Sequence, residues 1–362
     1  MSKNMLKPNK IIIATGGTGG HVFPAEALGK ELLEQSYDVT FVGGGLKNNR
    51  YFHRNSFSYE EVAASSLFKL NCFRSLWRIF KGVRQSLKIL SRINPNVVIG
   101  FGSFYTFPVL LAARLKKIPI VLFEPNAIPG KVNRFFSKWA TLSAVQFAEA
   151  GKWLSGTIIE VKMPTGKRDL TQKESAREYF YLKPDLFTFL VFGGSQGAES
   201  INRLFSEAAC LLRKDITFQV IHVTGKTGPA EKLRQMYLDA GIPACVKAFE
   251  ERMDLAWSAA SVVICRSGAA TVAEQITYAV PSILVPFPQA ADDHQTKNAQ
   301  FIEKKVKGGI TCPEPTLTAQ KLRTLLSQML RSEQREKMHH AILAFKQDQR
   351  KQELSSIIKG LI

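Results

Sequence analysis

The sequence predicts an α/β fold of two Rossmann-like domains, each built on a parallel sheet, and three observations carry that reading. The first is a device built twice. An apolar strand, a glycine turn and a helix start follow one another as Ile11-Ile12-Ile13-Ala14-Thr15-Gly16-Gly17-Thr18-Gly19-Gly20-His21, and again as Phe189-Leu190-Val191-Phe192-Gly193-Gly194-Ser195-Gln196-Gly197. The second is the alternation of short β-branched or aromatic runs with helical patterns, the mark of a parallel sheet covered on both faces. The third is size: 362 residues with 45% hydrophobic content suit two cores better than one.

Taken in order, the strands of the first domain are expected at 11–14, 39–42, 97–99 and 120–123, and those of the second at 187–192, 218–223, 262–265 and 282–285. Pro164 and Gly166, ahead of a charged stretch at 167–173, mark a break near 161–164. The domains are therefore drawn at 1–162 and 163–340. Beyond Pro313 the chain reads as helices, 317–330 and from 332 to the end, with 341–362 expected to pack back on the first domain. No short-period repeat or low-complexity tract is visible. The natural substrate site of such a pair is a cleft between the two sheets.

Composition narrows the class. The five cysteines are scattered, odd in number and free of any Cys-x-x-Cys pair, which argues against a disulfide framework or zinc site and for a reduced, cytoplasmic protein. The start is polar, and no apolar stretch reaches the length of about 18 residues that a bilayer span needs, so neither secretion nor membrane crossing is expected. The net charge of +19 calls for an anionic partner: nucleic acid, anionic lipid or a phosphorylated substrate. The charge is local, because no Asp or Glu occurs between Glu61 and Glu124.

Each glycine turn lets the backbone approach a phosphate, and the amides and dipole of the following helix then hold the anion. The first turn is no dinucleotide fingerprint: Val22 takes the third glycine position, and strand two ends in Gly43-Gly44-Gly45 where an acid would meet the ribose. It is no P-loop either. His21 lies at the helix start, where the neutral imidazole is favoured over the cation; it suits either a general base or a packing histidine. A third constellation, Arg266-Ser267-Gly268-Ala269-Ala270-Thr271-Val272-Ala273-Glu274, closes another apolar strand. Its first helical amides can face a diphosphate, and Glu274 suits either ribose hydroxyls or a solvated helix face. The polar run 289–298 holds His294 and Asn298 on one helical face with Gln295 beside them, fit for a hydroxyl-rich ligand or for a plain helix start.

At these residues the chain resembles the MurG family of bacterial UDP-N-acetylglucosamine:lipid I N-acetylglucosaminyltransferases, in glycosyltransferase family 28, over nearly its whole length. The resemblance rests on residues 16–24, on Gly100-Phe101-Gly102, on Glu124-Pro125-Asn126 with Gly130 and Asn133, on residues 193–198, on Arg266-Ser267-Gly268-Ala269 with Thr271 and Glu274, and on Asp292, His294, Gln295, Asn298 and Ala299. It implies a GT-B fold and a hexosyltransferase of peptidoglycan synthesis at the cytoplasmic face of the bacterial inner membrane. The implied partners are UDP-GlcNAc, undecaprenyl-linked lipid I, the anionic membrane surface and other cell-wall synthesis proteins, with no nucleic acid.

Carried over by motif, Thr18, Gly19 and Gly20 would hold the lipid I diphosphate, with Gly102, Glu124 and Asn126 also on the acceptor side and His21 as base. Thr18, Gly19, Gly20 and Asn126 would also border the donor. On the donor side Ser195, Gln196, Ser267, Gly268, Ala269, Ala270 and Thr271 would face the UDP phosphates. The backbone of Phe249 and Glu250 would take the uracil, Glu274 the ribose, and His294, Gln295 and Asn298 the sugar. The resemblance implies one inverting displacement: His21 removes the proton of the acceptor's C4 hydroxyl, that oxygen attacks C1 of GlcNAc, and UDP leaves. No Asp-x-Asp triplet occurs, and no bound metal or cofactor is expected.

Three departures stand out. The family's Gly-Asn-Pro-Val-Arg is Lys162-Met163-Pro164-Thr165-Gly166 here, so its arginine is absent, with Lys162, Lys167 and Arg168 as substitutes to choose among. Ser103 replaces a glycine. Glu250 stands where an apolar residue is usual, of little consequence for a backbone contact.

The basic segment reads as a helix with two stripes, Leu76, Phe80, Val83, Leu87 and Leu90 toward the sheet and Arg74, Arg78, Lys81, Lys88 and Arg92 toward anionic headgroups. Leu67, Phe68, Phe73 and Trp77 would add shallow apolar contact. The rival readings are a diacylglycerol glycosyltransferase, a UDP-GlcNAc 2-epimerase, or, from another class, a nucleic-acid-binding protein, whose affinity would depend steeply on salt but for which no motif is present.

Overall fold

Three consecutive isoleucines, Ile11, Ile12 and Ile13, each fully buried, make β1 (Lys10–Ala14) the strand from which the first sheet grows. In the computed structural model, which describes residues 9–66, 72–165, 173–194, 196–226, 228–347 and 352–362, β1 pairs in parallel with two neighbours, Ile12 opposite Thr40 on one side and Val98 on the other. The neighbours are β2 (Asp38–Gly43) and β4 (Val97–Gly100); β3 (Ser58–Glu61) lies beyond β2, and β5 (Ile120–Glu124), β6 (Leu142–Val145) and β7 (Ile158–Glu160) follow β4. The order is β3-β2-β1-β4-β5-β6-β7. Helices α1 (Gly19–Glu34), α2 (Cys72–Ile93), α3 (Phe107–Leu115) and α4 (Lys131–Phe136) belong to this unit.

The second unit repeats the scheme. Its strands β8 (Thr188–Phe192), β9 (Gln219–Val223), β10 (Ala244–Lys247), β11 (Val262–Cys265), β12 (Ser282–Leu284) and β13 (Gly309–Thr311) are ordered β10-β9-β8-β11-β12-β13, again all parallel. Its helices are α5 (Lys173–Tyr179), α6 (Glu199–Arg213), α7 (Ala230–Asp239), α8 (Met253–Ala259), α9 (Ala269–Tyr278), α10 (His294–Phe301), α11 (Ala319–Leu330) and α12 (Ser332–Gln347). The α/β class with two parallel sheets is as the sequence predicts. Five strands were not legible: β3, β6, β7, β10 and β13 are three or four residues long, and several carry Ser, Glu, Gly or Ala where a strand pattern needs bulk.

In each sheet the chain runs outward from a central strand and then returns to that strand's other side. Ligands of open parallel sheets sit outside the carboxyl ends at that reversal. Here the reversals fall between β1 and β4 and between β8 and β11, so both glycine turns, and the Arg266-Ser267-Gly268 segment after β11, lie where a ligand is expected.

The chain divides at Gly166, with Lys351–Ile362 grouped with the first unit and Lys167–Arg350 forming the second. α12 packs on α9 and α11 in the second unit, and α13 (Leu354–Leu361) packs on α1 in the first. A parallel bridge joins Val161 to Gln352, and the Lys162 ammonium lies 3.1 Å from a Glu353 carboxylate oxygen. Lys162 is thus engaged in tying down the returning segment, while Lys167 and Arg168 lie outside the described residues.

The rotation of α2 corrects one expectation. Leu76 and Phe80 do not face the sheet: they are 49% and 59% exposed, beside Trp77 at 66% and Phe73 at 91%. The buried stripe is Ser75, Ile79, Gly82, Ser86, Ile89 and Leu90. The cause is close packing at Gly82, where a Cβ would collide with the Ala63 carbonyl oxygen and come within 3.1 Å of Pro108 Cβ. Small residues therefore set which side of the helix meets the core, and the bulky apolar ones are turned outward among Arg74, Arg78 and Lys81. Leu67 and Phe68 lie outside the described residues.

Candidate functional site

The first turn works by close backbone approach. Gly17 has φ +88°, a Cβ on Gly16 would lie 2.7 Å from the Gly44 carbonyl oxygen, and the Tyr105 ring covers Gly16, Gly17 and Gly44. The Asn49 amide donates to the Gly17 carbonyl at 2.8 Å. A polar cavity of about 240 Å³ opens beside this backbone, lined by Gly17, Gly45, Asn48, Asn49, Arg50, Tyr51 and Tyr105. Neither Asn49 nor Tyr105 was legible as a site residue, because their relation to the glycines exists only across strands.

α1 begins at Gly19, with Thr18 as N-cap. Thr18 does not cap with its side chain; its hydroxyl lies 3.3 Å from His21 Nδ1. The first turn holds no acid, so no carboxylate of its own offsets the dipole at this end. His21 is the third residue of the helix and half-buried, and its carbonyl accepts from the Thr15 hydroxyl at 3.1 Å. When Nδ1–H donates to Thr18 Oγ1, the lone pair of the neutral ring is on Nε2, the form a general base requires.

Glu124 ends β5 and is buried. One oxygen accepts from the Asn126 backbone N–H (3.0 Å) and side-chain amide (3.2 Å), the other from Gly130 N–H (3.0 Å) and the Asn133 amide (2.9 Å). Burial pushes its carboxyl above the usual range, against the pull of these four donors. Glu124 thereby braces the loop that presents Asn126. Beside it Gly102 has φ +77°, and Ser103 holds φ +70° with ψ 152°, a region that favours glycine.

On the second unit the 193–197 turn is closed by a Gly197 N–H to Gly194 carbonyl bond of 2.9 Å. Gly194 has φ +83° and open space where a Cβ would be. Gln196 is exposed, and Ser195 lies outside the described residues. The helix after this turn, α6, starts with the acidic Glu199, whereas α9 starts after Gly268 with no acid and no side-chain cap. Of the two, α9 is the anion-ready end, with Ala269, Ala270 and Thr271 as its first turn.

Glu274 sits half-buried on α9, and the indole N–H of the fully buried Trp257 donates to its carboxylate at 3.0 Å. That fixed side chain replaces the solvated glutamate left open by the sequence. Arg266 is 8% exposed, donates to the carbonyls of Val285 (3.2 Å) and Pro286 (3.0 Å), and pairs with Glu314. It anchors the loop in front of residues 289–298. There His294 Nδ1–H donates to the Ala291 carbonyl at 2.7 Å and the Gln295 side-chain oxygen accepts from Phe287 N–H at 3.0 Å. Asn298 is fully buried and donates to the Ser267 carbonyl at 3.1 Å. His294 and Asn298 therefore do not present alike to solvent; Asn298 is placed to hold the 266–268 segment.

Phe249 is 47% exposed, and Glu250 is 5% exposed. The Glu250 carboxylate accepts from Lys247 Nζ (2.6 Å), Arg252 N–H (2.7 Å) and the Tyr179 hydroxyl (3.3 Å). Burial opposes its charge, but the Lys247 hydrogen bond and the Arg252 amide win and hold the carboxyl below the usual range. Glu250 thus leaves its backbone to make the expected contact while its side chain pins the loop that carries it.

Models of the glycosyltransferase family 28 N-terminal and C-terminal domains match residues 11–145 and 188–354. Two similar proteins are the UDP-N-acetylglucosamine--N-acetylmuramyl-(pentapeptide) pyrophosphoryl-undecaprenol N-acetylglucosamine transferases of Protochlamydia amoebophila and Desulforamulus reducens. The first is 43% identical, over 91% of each chain, and the second 33% identical, over 97% of each. Among solved structures, MurG of Acinetobacter baumannii superposes with a TM-score of 0.76 at 28% identity, covering 98% of this chain and 99% of that one.

Proposed function

The chain belongs to glycosyltransferase family 28, and from that premise we propose that it transfers GlcNAc from UDP-GlcNAc to the C4 hydroxyl of MurNAc in undecaprenyl-pyrophosphoryl-MurNAc-pentapeptide, releasing UDP and giving lipid II for peptidoglycan synthesis. One observation carries the reading. Each unit presents, at its sheet's reversal, a glycine-bordered helix start with no acid in its first turn, one holding a histidine and the other a ribose-suited carboxylate. Two diphosphate substrates, an acceptor and a nucleotide donor, need that pair of ends.

In the proposed reaction the first unit holds the acceptor, with its diphosphate at Thr18, Gly19 and Gly20 and its sugar near Gly102 and Asn126. The second holds the donor. The amides of Ala269, Ala270 and Thr271, with Ser195 and the 193–197 turn, take the diphosphate; Glu274 takes the ribose, the backbone at Phe249 and Glu250 the uracil, and His294 and Gln295 the sugar. His21 Nε2 accepts the proton of the C4 hydroxyl as that oxygen attacks C1, and the C1–oxygen bond to UDP breaks. The amides at the start of α9 then stabilise the charge that develops on the leaving diphosphate.

The membrane would be met by α2. Phe73, Leu76, Trp77 and Phe80 form an exposed apolar face with Arg74, Arg78 and Lys81 around it, the pairing that gives shallow insertion and headgroup attraction of about 1 kcal/mol per basic residue. Among the described residues no helix is long and apolar enough to cross a membrane. Peripheral attachment at the cytoplasmic face of the inner membrane is the reading these residues support. An epimerase has no use for such a face.

The test is UDP release from UDP-GlcNAc with a short-chain lipid I analogue, with diacylglycerol, and with no acceptor. The expected result is release and a disaccharide product with lipid I only. Release with diacylglycerol moves the protein to lipid glycosylation, and release with no acceptor moves it to hydrolysis or epimerase-like chemistry.

A further inference from the structure

Behind the 193–197 turn runs a chain of buried polar side chains that the reaction does not use. Tyr237 on α7, His222 on β9, Asn202 on α6 and Thr224 just after β9 are each no more than 1% exposed. The Tyr237 hydroxyl lies 2.7 Å from His222 Nδ1, His222 Nε2 lies 3.1 Å from Asn202 Oδ1, and Asn202 Nδ2 donates to the Thr224 carbonyl at 2.9 Å. The direction of every bond follows from its last member. A carbonyl only accepts, so Asn202 turns its NH₂ to Thr224 and its oxygen to His222. That oxygen requires the proton on Nε2, which leaves Nδ1 to accept from the tyrosine.

The Thr224 carbonyl is also the point against which the turn is packed. A Cβ on Gly197, whose φ is +82°, would lie 2.5 Å from that oxygen and 3.0 Å from Gly225 Cα. A Cβ on Gly225, itself at φ +89°, would lie 2.7 Å from Gly197 N and 2.9 Å from the Gln196 carbonyl. Two backbones in such contact cannot shift independently. Buried polar groups cost stability relative to apolar packing, and a fully satisfied network gives back rigidity and a single arrangement.

We propose that Tyr237, His222 and Asn202 are a positioning relay that fixes the Thr224 and Gly225 backbone, and through it the 193–197 turn, in the geometry that receives the donor's diphosphate. The relay touches no substrate. It rests on the donor reading given above, and it selects one part of the donor: the diphosphate, not the uracil or the ribose, which are met at Phe249, Glu250 and Glu274.

The test compares UDP with uridine, which shares base and ribose and lacks the diphosphate, by titration against wild type, His222→Phe, Asn202→Ala, Tyr237→Phe and His222→Gln, with circular dichroism and thermal melting on each. Gln can donate to Asn202 Oδ1 and accept from Tyr237, so it restores the relay. The expected result is a loss in UDP affinity of about tenfold for His222→Phe and Asn202→Ala and about threefold for Tyr237→Phe, uridine affinity held within about twofold, and recovery in His222→Gln. Parallel losses for both ligands, no loss, or a glutamine variant as weak as the phenylalanine one would overturn the relay while leaving the donor reading intact. Wild-type protein that binds no UDP overturns the donor reading and the relay with it. Should His222→Phe fail to fold, the near-isosteric Tyr237→Phe and His222→Gln decide the matter alone.

Discussion

The two glycine turns share a sequence pattern and a place in the sheet, yet they are braced by different chemistry. The 16–20 turn is held from outside, by the Tyr105 ring over Gly16 and Gly17 and by the Asn49 amide on the Gly17 carbonyl. The 193–197 turn is held from beneath, by a relay of buried polar groups ending at Thr224. Their helices differ too: α1 starts without an acid and carries His21 in its first turn, whereas α6 starts with Glu199. The lesson is that a strand-glycine-helix pattern specifies a place for a ligand and leaves its chemistry to the next few residues. In the first unit the helix itself carries the proposed base, His21; in the second the anion-ready helix is α9, one strand away.

The comparison breaks most decisively at His21. His21→Ala is expected to cut turnover with UDP-GlcNAc and a lipid I analogue by about 10²- to 10⁴-fold, with UDP affinity unchanged because the proposed reaction places the uracil, ribose and diphosphate of the donor on the other unit. Near-normal turnover would return His21 to the role of a packing histidine and leave the first turn as an anion holder only.

How much of this was readable beforehand depends on where the information lies along the chain. Fold class and both turns were legible because their signals are contiguous: three isoleucines and four glycines in the eleven residues 11–21 cannot be hidden by distant packing. The rotation of α2 was not legible, since a helical wheel weighs Leu76 and Phe80 by hydropathy while Gly82 decides by contact with Ala63. The His222 relay was missed for the same reason. In sequence His222 is one polar residue in an apolar strand, and its partners lie at 202 and 237. The i, i+4 spacing puts His294 and Asn298 on one helical face, but the burial of Asn298 against the Ser267 carbonyl is a tertiary fact that spacing does not carry.

The two braces should separate under acid. Burial pushes the His222 imidazole down to about 3, from about 6.5 when unfolded. A histidine depressed in the folded state stabilises fully above the unfolded value and loses that contribution as pH falls, because the unfolded chain then binds the proton the folded one refuses. The second unit should therefore lose about 1.4 kcal/mol per pH unit between about 6.5 and 3, a slope that His222→Gln removes. The neutral amide of Asn49 gives the first turn no counterpart. Denaturant melts of the wild type and the glutamine variant at pH 7 and 5 measure the difference, and equal slopes would contradict a neutral buried His222.

A smaller effect sharpens the first turn's side of the contrast. Ser103, whose hydroxyl would lie 3.3 Å from a Cβ on Gly17, occupies a backbone region that costs a non-glycine residue about 1–3 kcal/mol. Ser103→Gly relieves that strain and adds chain freedom to the unfolded state worth about 0.5–1 kcal/mol, so a net gain of about 1 kcal/mol is expected in melting experiments. A loss of stability would mean that the serine hydroxyl compensates the strain through contacts beyond the turn.

The smallest expected effect tests where the donor's diphosphate sits. Glu199 interacts favourably with its own helix dipole by about 0.3–1 kcal/mol, and Glu199→Gln gives that up. Were the α6 amides the anion holder, removing this carboxylate would take away a nearby repulsion, and UDP would bind several-fold tighter. With the anion held at α9 instead, UDP affinity should move by less than about twofold while the melting midpoint falls slightly. Tightening without destabilisation would assign the diphosphate to the second glycine turn's own helix and make the two turns alike after all. The expected pattern, a small stability loss with binding unchanged, keeps the division between a turn that shapes the pocket and a helix that carries the charge.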